Sequence, residues 1–406
     1  MTEASSTPWL TIIGMGEDGP AGLCPASREA LAGAEVVTGA ARLMALLDDG
    51  TVAAGAERRV WPVPFADGIA PLLALRGRRV AVLASGDPFW CGAGTTLSRH
   101  LPRGEWRALP GRSTFSLAAA RMGWALEETL CLGLHAAPFE RLRPRLVPGL
   151  RALLLLRDGA APGALAAWLT AEGFGESRLW VLEALGGPAE RIRLQQADGF
   201  GLNDVAHPVA VALEVAGTGP SLPRTSGLPD EAFEHDGQIT KRAVRAVTLS
   251  TLAPRAGERL WDIGAGSGSI AIEWLLAAER CEAVAIEQNP ERAARIQRNA
   301  ERFGLRGLTV VEGAVPAALE SLAPPDAVFI GGGLSEGLLE ALWAGLQPGT
   351  RIVANAVTLE SEALLTQWYG RVGGGLTRLA LSTAAPLGGL TGWRAAYPIV
   401  QWSVVR

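Results

Sequence analysis

The chain has 406 residues, a formal net charge of -4, 48% hydrophobic residues and 19% charged residues. That length exceeds one ordinary core and calls for two or three domains, and the apolar content excludes a disordered chain. With an acidic balance and no basic stripe, the composition argues against a nucleic-acid substrate.

In chain order, the first apolar stretch, Trp9–Ile13, is too short for the core of a signal peptide, and no Arg or Lys precedes Arg28. The expectation is a cytoplasmic protein. Leu10–Ile13, Val36–Thr38, Arg79–Leu83, Leu153–Leu156 and Leu179–Leu182 read as strands of an α/β front half. Leu153–Leu156 is the strongest candidate for a membrane span, and it ends at Arg157 and Asp158, so none is expected. A boundary near Leu109-Pro110-Gly111 divides this half into lobes of about 1–109 and 110–215. Residues 216–229 are dense in glycine and proline and read as a linker, with a second domain over 230–406. Cys24, Cys91, Cys131 and Cys281 are scattered, as are His100, His135, His207 and His235, so no metal site is expected.

The back half alternates. Arg259–Ile263, Ala283–Ile286, Leu308–Val311, Ala327–Ile330 and Arg351–Ala354 read as buried strands, with helices over Ser269–Ala278 and from Pro290. Such alternation predicts a parallel sheet covered on both faces. The turn after the first of these strands, Asp262-Ile263-Gly264-Ala265-Gly266-Ser267-Gly268, lets the backbone approach a ligand closely at a helix N-terminus. A dinucleotide site wants its third glycine at position 269, which is Ser269. The observed spacing suits S-adenosylmethionine (SAM), whose carboxylate and amino group sit at such a loop. Glu287, about twenty residues on at the end of the next strand, is placed to bind both ribose hydroxyls. Gly313 and Ala314 follow the third strand, where adenine would lie. The competing reading is a tight turn with chance acids.

These features resemble the class I SAM methyltransferases. The segments His235-Asp236-Gly237-Gln238-Ile239-Thr240-Lys241-Arg242, Phe329-Ile330-Gly331-Gly332-Gly333 and Ala354-Asn355-Ala356-Val357-Thr358 resemble, more narrowly, the decarboxylating precorrin methyltransferase domain. The resemblance implies a cofactor set of Thr240, Asp262, Gly264, Ala265, Gly266, Ser267, Gly268, Glu287, Gly313, Ala314, Gly331 and Gly332. It departs at Ala314, where many relatives carry an aspartate for the adenine amino group. Lys241 is the only lysine in the chain. It is either an exposed helix residue or a compact ammonium meeting a substrate carboxylate or Asp236.

In the front half, Gly14 and Gly16 lie in a glycine turn after the first strand. Gly86 and Asp87 lie in Ala84-Ser85-Gly86-Asp87-Pro88-Phe89-Trp90. Arg112, Ser113 and Thr114 lie in Leu109-Pro110-Gly111-Arg112-Ser113-Thr114-Phe115-Ser116. Taken together in this order the three segments resemble the tetrapyrrole (corrin/porphyrin) methylase family. That resemblance implies a two-lobed fold with SAM bound in the cleft by Gly14, Gly16, Gly86, Asp87, Ser113 and Thr114, so two SAM sites in all. It also implies a tetrapyrrole substrate, cobalamin biosynthesis and a homo-oligomer. Asp87 reads equally as a turn cap before proline, and Arg112 as a surface residue or a partner of a substrate carboxylate. Lys241, Asp87 and Arg112 are the candidate catalytic residues. The alternatives are a SAM methyltransferase acting on another small molecule, or a front half that only docks.

Overall fold

The computed structural model describes residues 8–223 and 225–406. Arg224, inside the expected linker, lies outside them. The chain forms two compact units, one up to Ala137 with Val147–Pro220 and one of Pro138–Leu146 with Ser221–Arg406. Both ends of the glycine- and proline-rich segment are tied down. Thr218 and Gly219 donate their N–H groups to the Gly173 carbonyl, and Gly227 and Leu228 donate theirs to the Glu273 carboxylate.

The first unit holds two sheets. In the first sheet β1 (Leu10–Met15), β2 (Val36–Gly39), β3 (Glu57–Val60), β4 (Val80–Ser85) and β5 (Trp106–Leu109) run parallel in the order β3-β2-β4-β1-β5. Successive side chains of a strand point to opposite faces. Accordingly Leu10, Ile12, Val80 and Val82 fill one core and Ile13, Ala81 and Leu83 another. The second sheet contains β6 (Leu130–Gly133), β7 (Arg151–Leu155), β8 (Arg178–Glu183), β9 (Arg191–Gln196) and β10 (Val209–Glu214), in the order β6-β7-β10-β8-β9. Only its β6–β7 pair is parallel.

The second unit is built on β11 (Arg259–Ile263), β12 (Glu282–Glu287), β13 (Leu308–Glu312), β14 (Ala327–Ile330), β15 (Arg351–Ala356), β16 (Gly375–Leu379) and β19 (Ile399–Val405), ordered β13-β12-β11-β14-β15-β19-β16. The first five are parallel, but β19 is antiparallel to both β15 and β16, which corrects the wholly parallel expectation. The alternating faces again fill two cores, one with Ile263, Ile286 and Ile330, the other with Leu260, Ala285 and Phe329. A hairpin of β17 (Ser382–Leu387) and β18 (Leu390–Ala395) stands apart as its own two-stranded sheet. The order of the parallel strands reverses between β11 and β14, and open α/β sheets bind ligands at the carboxyl ends of strands at such a switch. Among the described residues no helix is long and apolar enough to cross a membrane.

Candidate active site

The carboxyl ends of five neighbouring strands open into a cavity of about 670 Å³, inside the ~300–1,000 Å³ range of small-molecule sites. Its floor is the glycine turn after β11 meeting the glycine run after β14. Gly264 has φ 68°, and a Cβ there would stand 2.6 Å from the Gly332 backbone. No residue with a side chain fits, because the two loops touch through bare backbone. Gly331 and Gly332 donate their N–H groups to the Ile263 carbonyl at 2.9 and 3.3 Å, locking the contact.

Glu287 ends β12 and is 5% exposed. One carboxylate oxygen accepts the Gly266 N–H at 2.9 Å and the other the Asn289 N–H at 3.0 Å. The acid therefore fixes the glycine turn, and each oxygen keeps a lone pair for a diol in the cavity. Thr240, Lys241, Gly264, Ala265, Gly266, Glu287, Gly313, Ala314, Gly331 and Gly332 all line this one cavity.

Asp262, Ser267 and Gly268, expected on the cofactor, lie behind the wall. Beyond Gly266 the chain enters the helix Ser269–Ala277 and turns away. Gly268 packs against Ile296. The Ser267 hydroxyl is buried without a partner. Asp262 is 0% exposed. One of its oxygens accepts the Ala271 N–H at 3.0 Å, and the other has no hydrogen bond. Burial pushes its carboxyl up to about 7; the Ala271 bond opposes this, and the charge of Glu287 adds to it.

A strap, residues 234–241, covers the glycine turn, with the Gln238 carbonyl over Gly266. Its outer side is clamped to the helix Pro290–Arg302. Asp236 accepts from Arg292 Nε at 2.9 Å and lies 3.1 Å from Arg295, and Glu234 pairs with Arg298. The Arg292 bond, the Gln238 N–H and Arg295 hold the Asp236 carboxyl far below the usual carboxylate range. Asp236 is thus not the partner of Lys241. Lys241 caps the helix Arg242–Leu252, and its ammonium lies 3.9 Å from Asp230, mostly exposed at the cavity rim. Inside, the buried Arg245 guanidinium binds Glu273, Asp230 and the Leu228 and Thr240 carbonyls, fastening the strap to the helix behind the glycine turn.

The front-half motifs close on one another at the carboxyl ends of β4, β1 and β5. A Cβ on Gly14 would overlap the Gly86 carbonyl and the Gly111 nitrogen. Gly86 donates to the Met15 carbonyl and Gly111 to the Gly86 carbonyl. Asp87 accepts the Phe89 N–H at 2.8 Å, the turn-cap geometry. Arg112 pairs with Asp18, whose carboxylate lies against Gly16 and Gly22. The Ser113 hydroxyl accepts the Ser116 N–H at 3.0 Å and starts the helix Thr114–Met122. Its hydroxyl is thereby occupied, and Thr114 is the first residue of that helix. Asp87 and Arg112 are accounted for by these local bonds, without a substrate.

Sequence reading missed Asp18 and Arg292, whose signals were a lone acid and a helical arginine. The walls from Leu379, Leu381 and Tyr397 carry no local motif that marks them in the sequence. Asn355 lies within residues 354–358, where nothing local marks it as facing a ligand.

Two family models match the chain. Tetrapyrrole (corrin/porphyrin) methylases cover residues 9–198, and the precorrin methyltransferase domain covers residues 231–406. A precorrin-6Y C(5,15)-methyltransferase [decarboxylating] from Sinorhizobium sp is 52% identical over 98% of this chain and 96% of that protein. A protein of the same name from Mycobacterium tuberculosis is 44% identical over 98% of this chain and 100% of its own. The crystal structure of the C-terminal domain of precorrin-6Y C5,15-methyltransferase from Rhodobacter capsulatus is 53% identical, with a TM-score of 0.45, and covers 46% of this chain and 100% of that one.

Proposed function

Because the chain belongs to the precorrin-6Y C5,15-methyltransferase (decarboxylating) family, we propose that it methylates the precorrin macrocycle at C-5 and C-15. It also removes the C-12 acetate carboxyl as carbon dioxide, giving precorrin-8X. Methyltransferases of this family use SAM, which when bound supplies an electrophilic methyl group on a sulfonium. The observation that carries the reading is the Glu287–Gly266 bond at the cavity floor. It presents a carboxylate for the ribose hydroxyls beside a glycine turn that a ligand can approach closely.

The residues of the back half then orient two partners and exclude water. Glu287 would hold the adenosyl end of SAM, and Gly313 and Ala314 would flank its adenine through backbone. The strap at Gln238, Thr240 and Lys241 would shield the reacting end from water, and Lys241 would offer an ammonium to a substrate carboxylate at the rim. C-15 methylation and decarboxylation belong to this cavity. C-5 methylation belongs to the front half, where the loops carrying Gly14, Gly16, Gly86, Ser113 and Thr114 meet at the ends of adjacent strands and form a second SAM site. A homo-oligomer is supported by the hairpin β17–β18, on which Leu387, Leu390 and Trp393 are 70–80% exposed.

Calorimetric titration of the whole chain with SAM should give two sites per chain. A single site on fully active protein would refute the front-half assignment.

A further inference from the structure

At the opposite side of the cavity from Glu287 stands Asn355, in β15. Strands β12, β11, β14 and β15 are consecutive neighbours, so the two residues are three strand spacings apart, about 14 Å. A ligand held by Glu287 at its ribose end leaves the Asn355 end for the macrocycle.

The Asn355 amide is fixed before any ligand arrives. Its Nδ2 donates to the Thr248 hydroxyl at 3.0 Å, and its Oδ1 accepts from Gln401 Nε2 at 2.9 Å. Gln401 is the register partner of Asn355 on β19 and is 3% exposed. Its second N–H goes to Thr248 at 3.0 Å, and its Oε1 accepts from Thr251 at 2.9 Å. Both N–H groups and the oxygen of the Gln401 amide therefore have partners; turning Gln401 over would set oxygen against oxygen, and turning Asn355 over would set nitrogen against nitrogen. Asn355 is left with one N–H and one lone pair in a set orientation. Val244, Phe329, Val357 and Ile399 give the same cavity an apolar lining. Of the cations that line the cavity, Lys241 lies at its exposed rim, 3.9 Å from Asp230, and Arg292 is bound to Asp236.

We propose that Asn355 positions the acetate carboxylate that is lost as carbon dioxide; this rests on the reading of the back half as the decarboxylating site. In that step the bond between the methylene and the carboxylate carbon breaks, and its electron pair enters the conjugated macrocycle. Carbon dioxide departs, and a proton from solvent ends on the methylene carbon, leaving a methyl group. Negative charge leaves the carboxylate as the bond breaks. A cation beside it would stabilise the starting state more than the transition state, whereas one neutral N–H in an apolar wall orients the group with little such penalty. Thr248, Thr251 and Gln401 act through Asn355 and are positioning residues.

The test uses the full chain, SAM and the precorrin substrate, with products resolved by mass spectrometry and SAM affinity measured by calorimetry. Asn355→Ala should keep the back-half SAM affinity and lower carbon dioxide lost per methyl transferred by about tenfold, the worth of one well-placed hydrogen bond. Gln401→Met, at a residue that does not itself line the cavity, should lower the same ratio by a smaller factor by releasing the amide, and it serves as the readout should Asn355→Ala not fold. An unchanged ratio in the folded variants overturns the role of Asn355 even if total turnover falls, since a merely structural residue slows both reactions together. A wild-type chain that methylates without losing carbon dioxide overturns the decarboxylating reading itself, and this inference with it.

Discussion

The buried acid Asp262 should make the second unit lose stability as pH rises through the mildly acidic range. In the folded state its carboxyl is pushed up to about 7, while in an unfolded chain it titrates near 3.9. Below pH ~4 both states hold the proton. Between pH ~4 and ~7 the folded state keeps a proton that the unfolded state has released, so stability falls with pH, by up to about 1.4 kcal/mol per unit and on the order of 4 kcal/mol in all. Above ~7 both states are ionised and the loss is complete. Asp262→Asn should remove this slope: its amide oxygen can still accept the Ala271 N–H, and it carries no titrating group. The chain holds two units, so a global melt mixes transitions. Hydrogen exchange resolved to β11 and the helix Ser269–Ala277, corrected for the intrinsic pH dependence of exchange, reads the second unit alone. Wild-type protection that does not decline from pH 5 to 7.5, or an equal decline in the asparagine variant, would refute the argument.

Three further outcomes follow from the same geometry. Glu287→Gln should weaken SAM binding at the back-half site by about 1.5–3 kcal/mol, roughly 10- to 150-fold, through loss of charge-assisted bonds to the ribose; calorimetry that still shows two equally tight sites would contradict this. Lys241→Arg should leave the melting temperature within a degree or so, because the side chain is 61% exposed, yet slow back-half turnover if a compact ammonium is needed; unchanged kinetics would make the lone lysine an accident of composition. Asp87→Ala should depress C-5 methylation by removing the acceptor for the Phe89 N–H, while Asp87→Asn, which keeps an acceptor, should preserve it; equal loss in both would restore a role for the charge.

What could be read from residues alone was whatever depends on short-range pattern. The strands β11, β12 and β14 announce themselves as buried apolar runs, and the turn Gly264–Gly268 with Glu287 downstream needs only spacing to be recognised. What stayed hidden depends on which residues meet across the fold. Thr248, Asn355 and Gln401 lie more than a hundred residues apart at their extremes, and nothing in their local sequence marks them as one hydrogen-bonded unit. Asp236 and Lys241 are close in sequence, yet the arginines of the helix Pro290–Arg302 take Asp236 first. The antiparallel β19 was missed because a strand from the chain's end that inserts between β15 and β16 follows from tertiary pairing rather than from strand–helix alternation. Ser267 and Gly268 belong to the motif by spacing, but the helix they open carries them away from the ligand side.

The strand order assigns opposite demands to the two ends of the second-unit cavity. At the β12 end a charged group is wanted, and Glu287 stays available because backbone N–H groups, not cations, satisfy its oxygens; a salt bridge there would compete with the ribose. At the β15 end a charge would hinder the loss of a carboxylate, and the side chain offered is a neutral amide held by two uncharged partners, Thr248 and Gln401. Arg245, Arg292, Arg295 and Arg298 form ion pairs that fasten the strap from inside and outside. Rigid, prepaired groups at both ends mean that little reorganisation remains when the ligands bind, the condition under which weak, well-aimed interactions act on a transition state.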